Sequence, residues 1–201
     1  MRERHAEDWT IDLGERHALE SEVETVLREC EELRLVHVAT DSMTELDFVT
    51  IGPGLRVAPI EVKAKLQPYR GWNDVAAHLR PENVFILDEL ALRKIVEAGR
   101  YAFLIVWDAP IGRWCVWSSL DLVLATKVRV ARPLAGRNGR QSTVKAKVIL
   151  DLDEAAHTCT DLFAVIDAIT EDLETCDTGW SSVGPWPHGP AVAQPLVRRS
   201  S

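Results

Sequence analysis

The stretch APIEVKAK, residues 58–65, decides how this chain is read. Apolar Ile60 and Val62 alternate with charged Glu61 and Lys63. Alternation with a period of two marks a strand, and it puts the carboxylate and the ammonium on one face. Upstream, TELDFVTIG (44–52) alternates in the same way. Leu46, Phe48 and Thr50 fall on one face, and Asp47, Val49 and Ile51 on the other. The GPG at 52–54 reads as the turn between the two strands. Counted outward from that turn, Asp47 and Glu61 both sit well up their strands, so a hairpin brings their side chains close. Pro59 within the second strand suggests an edge position or a bulge.

The pattern extends in both directions. Residues 15–33 carry Leu19, Val23, Val26, Leu27 and Cys30 at helical spacing. RLVHVAT (34–40) is a further strand, which completes a three-strand meander after one helix. VAAHLR (75–80) reads as a short helix and NVFILD (83–88) as a strand. DELALRKIVEAG reads as a helix that Asp88 caps and Gly99 ends. YAFLIVWD (101–108) is apolar throughout, as in a strand covered on both faces. KVRVARP and STVKAKVIL are two more strands, and DLFAVIDAITEDLET is a closing helix. From Thr178 the composition turns to Gly, Pro, Trp and Ser. The expected organisation is one domain over 1–177 and a mostly irregular tail over 178–201. The fold class is α/β or α+β, with helices packed on a sheet.

The chain has 201 residues, of which 46% are hydrophobic, so it can bury a sizeable core. No apolar run approaches the roughly 18 residues that span a membrane. A cytoplasmic location without membrane partners is the simplest expectation. The four cysteines (Cys30, Cys115, Cys159, Cys176) stand singly without a CxxC, which argues against a zinc site or a disulfide framework. The six histidines never pair at ligand spacing, and neither a G-x-S-x-G elbow nor a Gly-rich phosphate loop occurs. The net charge of −8 argues against coating nucleic acid through bulk electrostatics.

Two carboxylates side by side repel unless a cation lies between them. Oxygen ligands in that arrangement suit Mg²⁺, which takes one or two carboxylates plus waters and phosphate. A lysine beside it is placed to act on a water or a phosphate oxygen. These are the parts that phosphodiester hydrolysis needs. Read as a solvated face, the same residues would carry no chemistry.

Helix, Asp47, then Glu61-Val62-Lys63 resembles the PD-(D/E)XK nuclease superfamily of restriction endonucleases and archaeal Holliday-junction resolvases. Glu20, Val23 and Leu27 match the family's E-x-x-apolar-x-x-x-apolar first helix. The resemblance covers about residues 14–108, and Leu46 stands where the family name has proline. It implies a restriction-endonuclease-like core, a mixed central sheet flanked by helices, here with additional C-terminal strands and a closing helix. It also implies that Asp47, Glu61 and the Val62 carbonyl hold Mg²⁺ or Mn²⁺, that Lys63 acts on the attacking water, and that Glu20 is an outer acid. The expected activity is that of a Mg²⁺-dependent endodeoxyribonuclease in a bacterial restriction, defence or DNA-processing system, with DNA as partner and a recruiting subunit or homodimer in addition. The alternative is an inactive binding module on the same fold.

Lys65, Gln67 and Arg70 follow the motif and are expected to face DNA. From Lys127 to Lys147 seven basic residues occur without an acid, a local reversal of sign. Arg137 and Arg140, in the loop AGRNGRQ, are the candidate phosphate contacts there; the other reading is a solvated hairpin.

Overall fold

The computed structural model describes residues 6–39, 45–69, 78–133 and 144–181. The expected order holds through the motif. Helix α1 (Ala6–Glu29) is followed by β1 (Arg34–Val38), β2 (Phe48–Ile51) and β3 (Val57–Lys65), all antiparallel. Then come β4 (Val84–Asp88), α2 (Glu89–Glu97) and β5 (Phe103–Asp108). β5 lies parallel to β3, with Glu61 opposite Leu104 and Lys65 opposite Asp108. β6 (Arg113–Ser118), α3 (Ser119–Leu124), β7 (Val128–Pro133), β8 (Val144–Asp151), β9 (His157–Cys159) and α4 (Leu162–Ser181) complete the chain. The main sheet is therefore mixed, in the order β1-β2-β3-β5-β6-β9.

Two cores lie on its two faces, because β5 is apolar at every position but its last. Phe103 and Ile105 face α1 and α4, where Leu19, Val23 and Leu27 meet Val165, Ile166 and Ile169. Leu104 and Val106 face the other way, toward Ala91 and Ile95 of α2, Leu122 of α3, and Phe85, Leu87, Val148 and Leu150. Those last four belong to a second, antiparallel sheet in the order β4-β8-β7. The sequence indicated these strands but not that they form a sheet of their own.

Local chemistry sets the ends. A reciprocal capping box between Ser118 and Asp121 starts α3. Asp161 accepts from the Ala164 N–H at the start of α4. Gly99, just past α2, has φ 103°, a conformation that favours glycine. Four expectations need correction. Asp88 is at the N-cap position of α2 but makes no side-chain cap, because its carboxylate pairs with Lys147 of β8. Pro59 lies in an interior strand with an unbroken register to β2. The Val62 N–H points toward the β2 side, so odd positions of β3 point toward β5. The β5 ladder begins only at Ile60, and Pro59 costs it no hydrogen bond. Helix α4 continues through Ser181, past the expected start of the tail at 178. Finally, of the short helix expected at 75–80, residues 75–77 lie outside the described residues, and 78–80 are turn, bend and coil, not helix.

Candidate metal and phosphate site

Register builds the site. The β2–β3 pairing places Phe48 opposite Ile60, so Asp47, just before β2, stands across from Glu61. Asp47 Oδ2 accepts from the Val62 N–H at 2.8 Å, which fixes the carboxylate against β3. Glu61 is nearly enclosed, with its side chain 3% exposed. The Lys63 ammonium lies 2.5 Å from Glu61 Oε1 and 3.6 Å from Asp47 Oδ2. It also donates to the Val62 carbonyl at 2.9 Å. Three oxygens from three different groups thus surround one cation.

The other oxygen of Glu61 is in a different state. Oε2 is buried without a hydrogen-bond partner among the described residues. A buried carboxylate oxygen in that condition is costly unless a positive charge stands near it. Lys94 Nζ supplies such a charge, 3.7 Å away. Lys94 comes from α2 and is anchored by donating to the Glu45 carbonyl at 2.8 Å. Sequence reasoning missed it. The available signal was its place on α2 directly before Ile95, which is buried against the same sheet face. Lys94 also lines an open cleft of about 440 Å³ with His37, Glu45, Leu46, Val49 and Pro59. His37 pairs with Glu45 at 3.3 Å on that rim.

The other expected residues fare differently. Glu20 lies on α1, on the face of the sheet opposite Glu61 and Lys63, and its carboxylate is 3.6 Å from His17 of the same helix. The structure does not join it to Asp47 and Glu61. Lys65 was expected to face DNA, and this is corrected. It is 0% exposed, 3.3 Å from an equally buried Asp108, and it donates to the Glu82 carbonyl. Gln67 is exposed just beyond β3. Arg70, Arg137 and Arg140 lie outside the described residues. At the base of the basic stretch the cations have partners. Arg129 pairs with Glu89 at 2.8 Å and Lys147 with Asp88. Lys127 donates to the Val123 and Ala125 carbonyls at 2.9 and 3.0 Å, at the C-terminal end of α3.

Among the described residues no three His, Cys, Asp or Glu side chains gather as a metal-binding group. A cation at Glu61 would therefore have two carboxylates and a backbone carbonyl as protein ligands. Hard oxygen donors of that number fit Mg²⁺, which keeps several waters. Burial pushes the Cys115 thiol up to about 11, which favours its protonated form.

No protein-family model matches the chain. No curated protein matches it either. Among solved structures it is similar to Hjc, a Holliday junction resolvase from the archaeal hyperthermophile Archaeoglobus fulgidus, with 14% identity, a TM-score of 0.38, and coverage of 78% of this chain and 98% of that one.

Proposed function

We propose that this chain is a divalent-metal-dependent nuclease that hydrolyses phosphodiester bonds within DNA, in a restriction, defence or DNA-processing system. One observation carries the reading. Asp47 Oδ2, Glu61 Oε1 and the Val62 carbonyl, the three oxygens that the motif assigns to a metal, all lie around a single cation, the Lys63 ammonium. A solvated strand face would not bury Glu61 to 3% and surround one charge in this way.

Asp47, Glu61 and the Val62 carbonyl would hold Mg²⁺ or Mn²⁺. Bound there, the ion would supply Lewis acidity to a phosphate oxygen and lower the pKa of a water. Asp47 is kept in position by the Val62 N–H, so its carboxylate needs no reordering. Lys63, 22% exposed, reaches both carboxylates and solvent. It orients the attacking water and holds a phosphate oxygen as charge develops there. The water oxygen bonds to phosphorus and gives up one proton to solvent, one bridging P–O bond breaks, and the leaving alkoxide takes up a proton from solvent. DNA lies over the open cleft beside β1, β2 and β3.

Supercoiled plasmid incubated with Mg²⁺, with and without chelator, tests this. The parent is expected to nick or linearise it only without chelator, and Asp47→Ala and Glu61→Ala to lose at least a hundredfold in rate. Cleavage by both variants at the parent's rate would assign the chemistry elsewhere.

A further inference from the structure

We propose that Lys94 couples metal loading to DNA binding: its ammonium neutralises the buried oxygen of Glu61 until a DNA phosphate draws it into the cleft. The inference rests on the nuclease reading and deepens it. Glu61 stands between two ammonium groups, Lys63 on Oε1 and Lys94 on Oε2. With Asp47 the local charge already sums to zero without any metal. A divalent ion arriving there meets two positive charges within a few ångströms, so its affinity is held down. Lys94 alone of these groups also lines the cleft, and its side chain is 17% exposed. It makes no hydrogen bond to Glu61, being 3.7 Å away, while Oε2 has no hydrogen-bond partner among the described residues. The Lys94 ammonium is thus hydrogen-bonded to the Glu45 carbonyl but not to Glu61, and it is open to the cleft. A phosphate at the cleft gives it an anion to move to, and the vacated carboxylate then favours the metal. By linkage, the metal tightens DNA binding by the same factor. Lys94 is a positioning residue in this scheme, acting through Glu61.

Calorimetric titration with Ca²⁺ as probe cation, with and without a DNA duplex, decides it. The parent is expected to bind Ca²⁺ weakly alone and several-fold more tightly with DNA. Lys94→Met and Lys94→Gln are expected to bind Ca²⁺ about threefold to tenfold more tightly than the parent without DNA, and to lose most of the gain that DNA brings. Lys94→Arg keeps the charge and is expected to stay within about twofold of the parent. The glutamine variant retains a donor for the Glu45 carbonyl and guards against misfolding of the methionine variant. If the neutral variants bind Ca²⁺ no more tightly than the parent, or keep its full coupling to DNA, the inference falls and the nuclease reading stands. If the parent binds no Ca²⁺ in a manner that needs Asp47 and Glu61, the cation site itself falls, and the coupling with it.

Discussion

Lys63 and Lys65 lie two residues apart on one face of β3, and they have opposite fates. Lys63 is partly exposed and is surrounded by Asp47, Glu61 and the Val62 carbonyl. Lys65 is fully buried against Asp108 and the Glu82 carbonyl. The strand did not decide this; what covers it did. Over Lys65 the second sheet closes down. Arg113 reaches Asp108 at 3.3 Å, Asp153 at 3.1 Å and Asn83 at 3.2 Å, and the Leu152 N–H donates to the Asn83 carbonyl. Beside Glu61, on the same face as Lys63, stand Lys94 of α2 and the cleft that it lines. One end of β3 holds its ions to join two sheets, and the other leaves its ions within reach of a ligand.

The largest expected effect tests the closed end. Lys65→Ala leaves the buried Asp108 carboxyl with Arg113 as its one cationic partner among the described residues. Loss of one partner of a buried pair costs about 3–5 kcal/mol. Urea unfolding of the variant against the parent measures it. The double change Lys65→Met with Asp108→Leu removes both charges and should recover most of that loss, since apolar replacement of a whole buried pair is often neutral. A cost under about 1 kcal/mol for Lys65→Ala would mean that this end is no more closed than the other.

Lys63→Ala tests the open end and should behave in the opposite way. Its unfolding free energy should fall by less than that of Lys65→Ala, because Lys63 is itself partly exposed and Lys94 still stands beside Glu61. Turnover on DNA should drop by about a hundredfold, which is about 2.7 kcal/mol in the barrier. Ca²⁺ titration should show affinity at least equal to the parent's, because the removed ammonium stood among the proposed metal ligands. Affinity lost as completely as in Asp47→Ala would make Lys63 part of the scaffold.

The same contrast explains what could be read from the sequence. Alternation along 44–52 and 57–65 gave the hairpin and the facing of Asp47 toward Glu61, because period and turn are local properties. It assigned Glu61 and Lys63 to one face, yet it could not say what lies over that face. Lys65 is buried by contacts with Glu82 and Asp108, and its network extends to Asp153, which Asn83 meets across seventy positions. Lys94 meets Glu61 in the same long-range way, from a helix whose own pattern marks that position only as polar. The second sheet went unseen because β4 pairs with β8, far along the chain, rather than with a neighbour in sequence.

Glu20 offers a smaller test. It stands across the main sheet from Glu61, beside His17. Glu20→Gln should therefore change the cleavage rate by about twofold or less, against at least a hundredfold for Glu61→Gln. Rates measured under one set of conditions compare them. A Glu20→Gln defect near that of Glu61→Gln would bring α1 into the open end and redraw its boundary.

The smallest effect concerns Arg129, which extends the contrast to the surface. Its side chain is 67% exposed, yet it pairs with Glu89 at the first turn of α2. If an engaged cation is not available to DNA, Arg129→Gln should leave the slope of log affinity against log salt unchanged. A cation on a phosphate would contribute about one unit to that slope. The stability effect has a predictable pH dependence. A hydrogen bond from Arg93, foremost, and then Arg129 hold the Glu89 carboxyl below its ordinary range, against partial desolvation. A carboxyl depressed in the folded state stabilises above its unfolded pKa, and that contribution is lost as pH falls through the folded value. The difference between parent and Arg129→Gln should thus be small at neutral pH and vanish in acid, where Glu89 is protonated in both. Melting curves at several pH values follow it. A slope that flattens by about one unit, with stability unchanged at neutral pH, would mean that Arg129 leaves Glu89 for a phosphate. The base of the β7–β8 hairpin would then belong with Lys63 and Lys94 as a DNA-facing surface, and having a partner in the folded chain would no longer separate structural cations from functional ones.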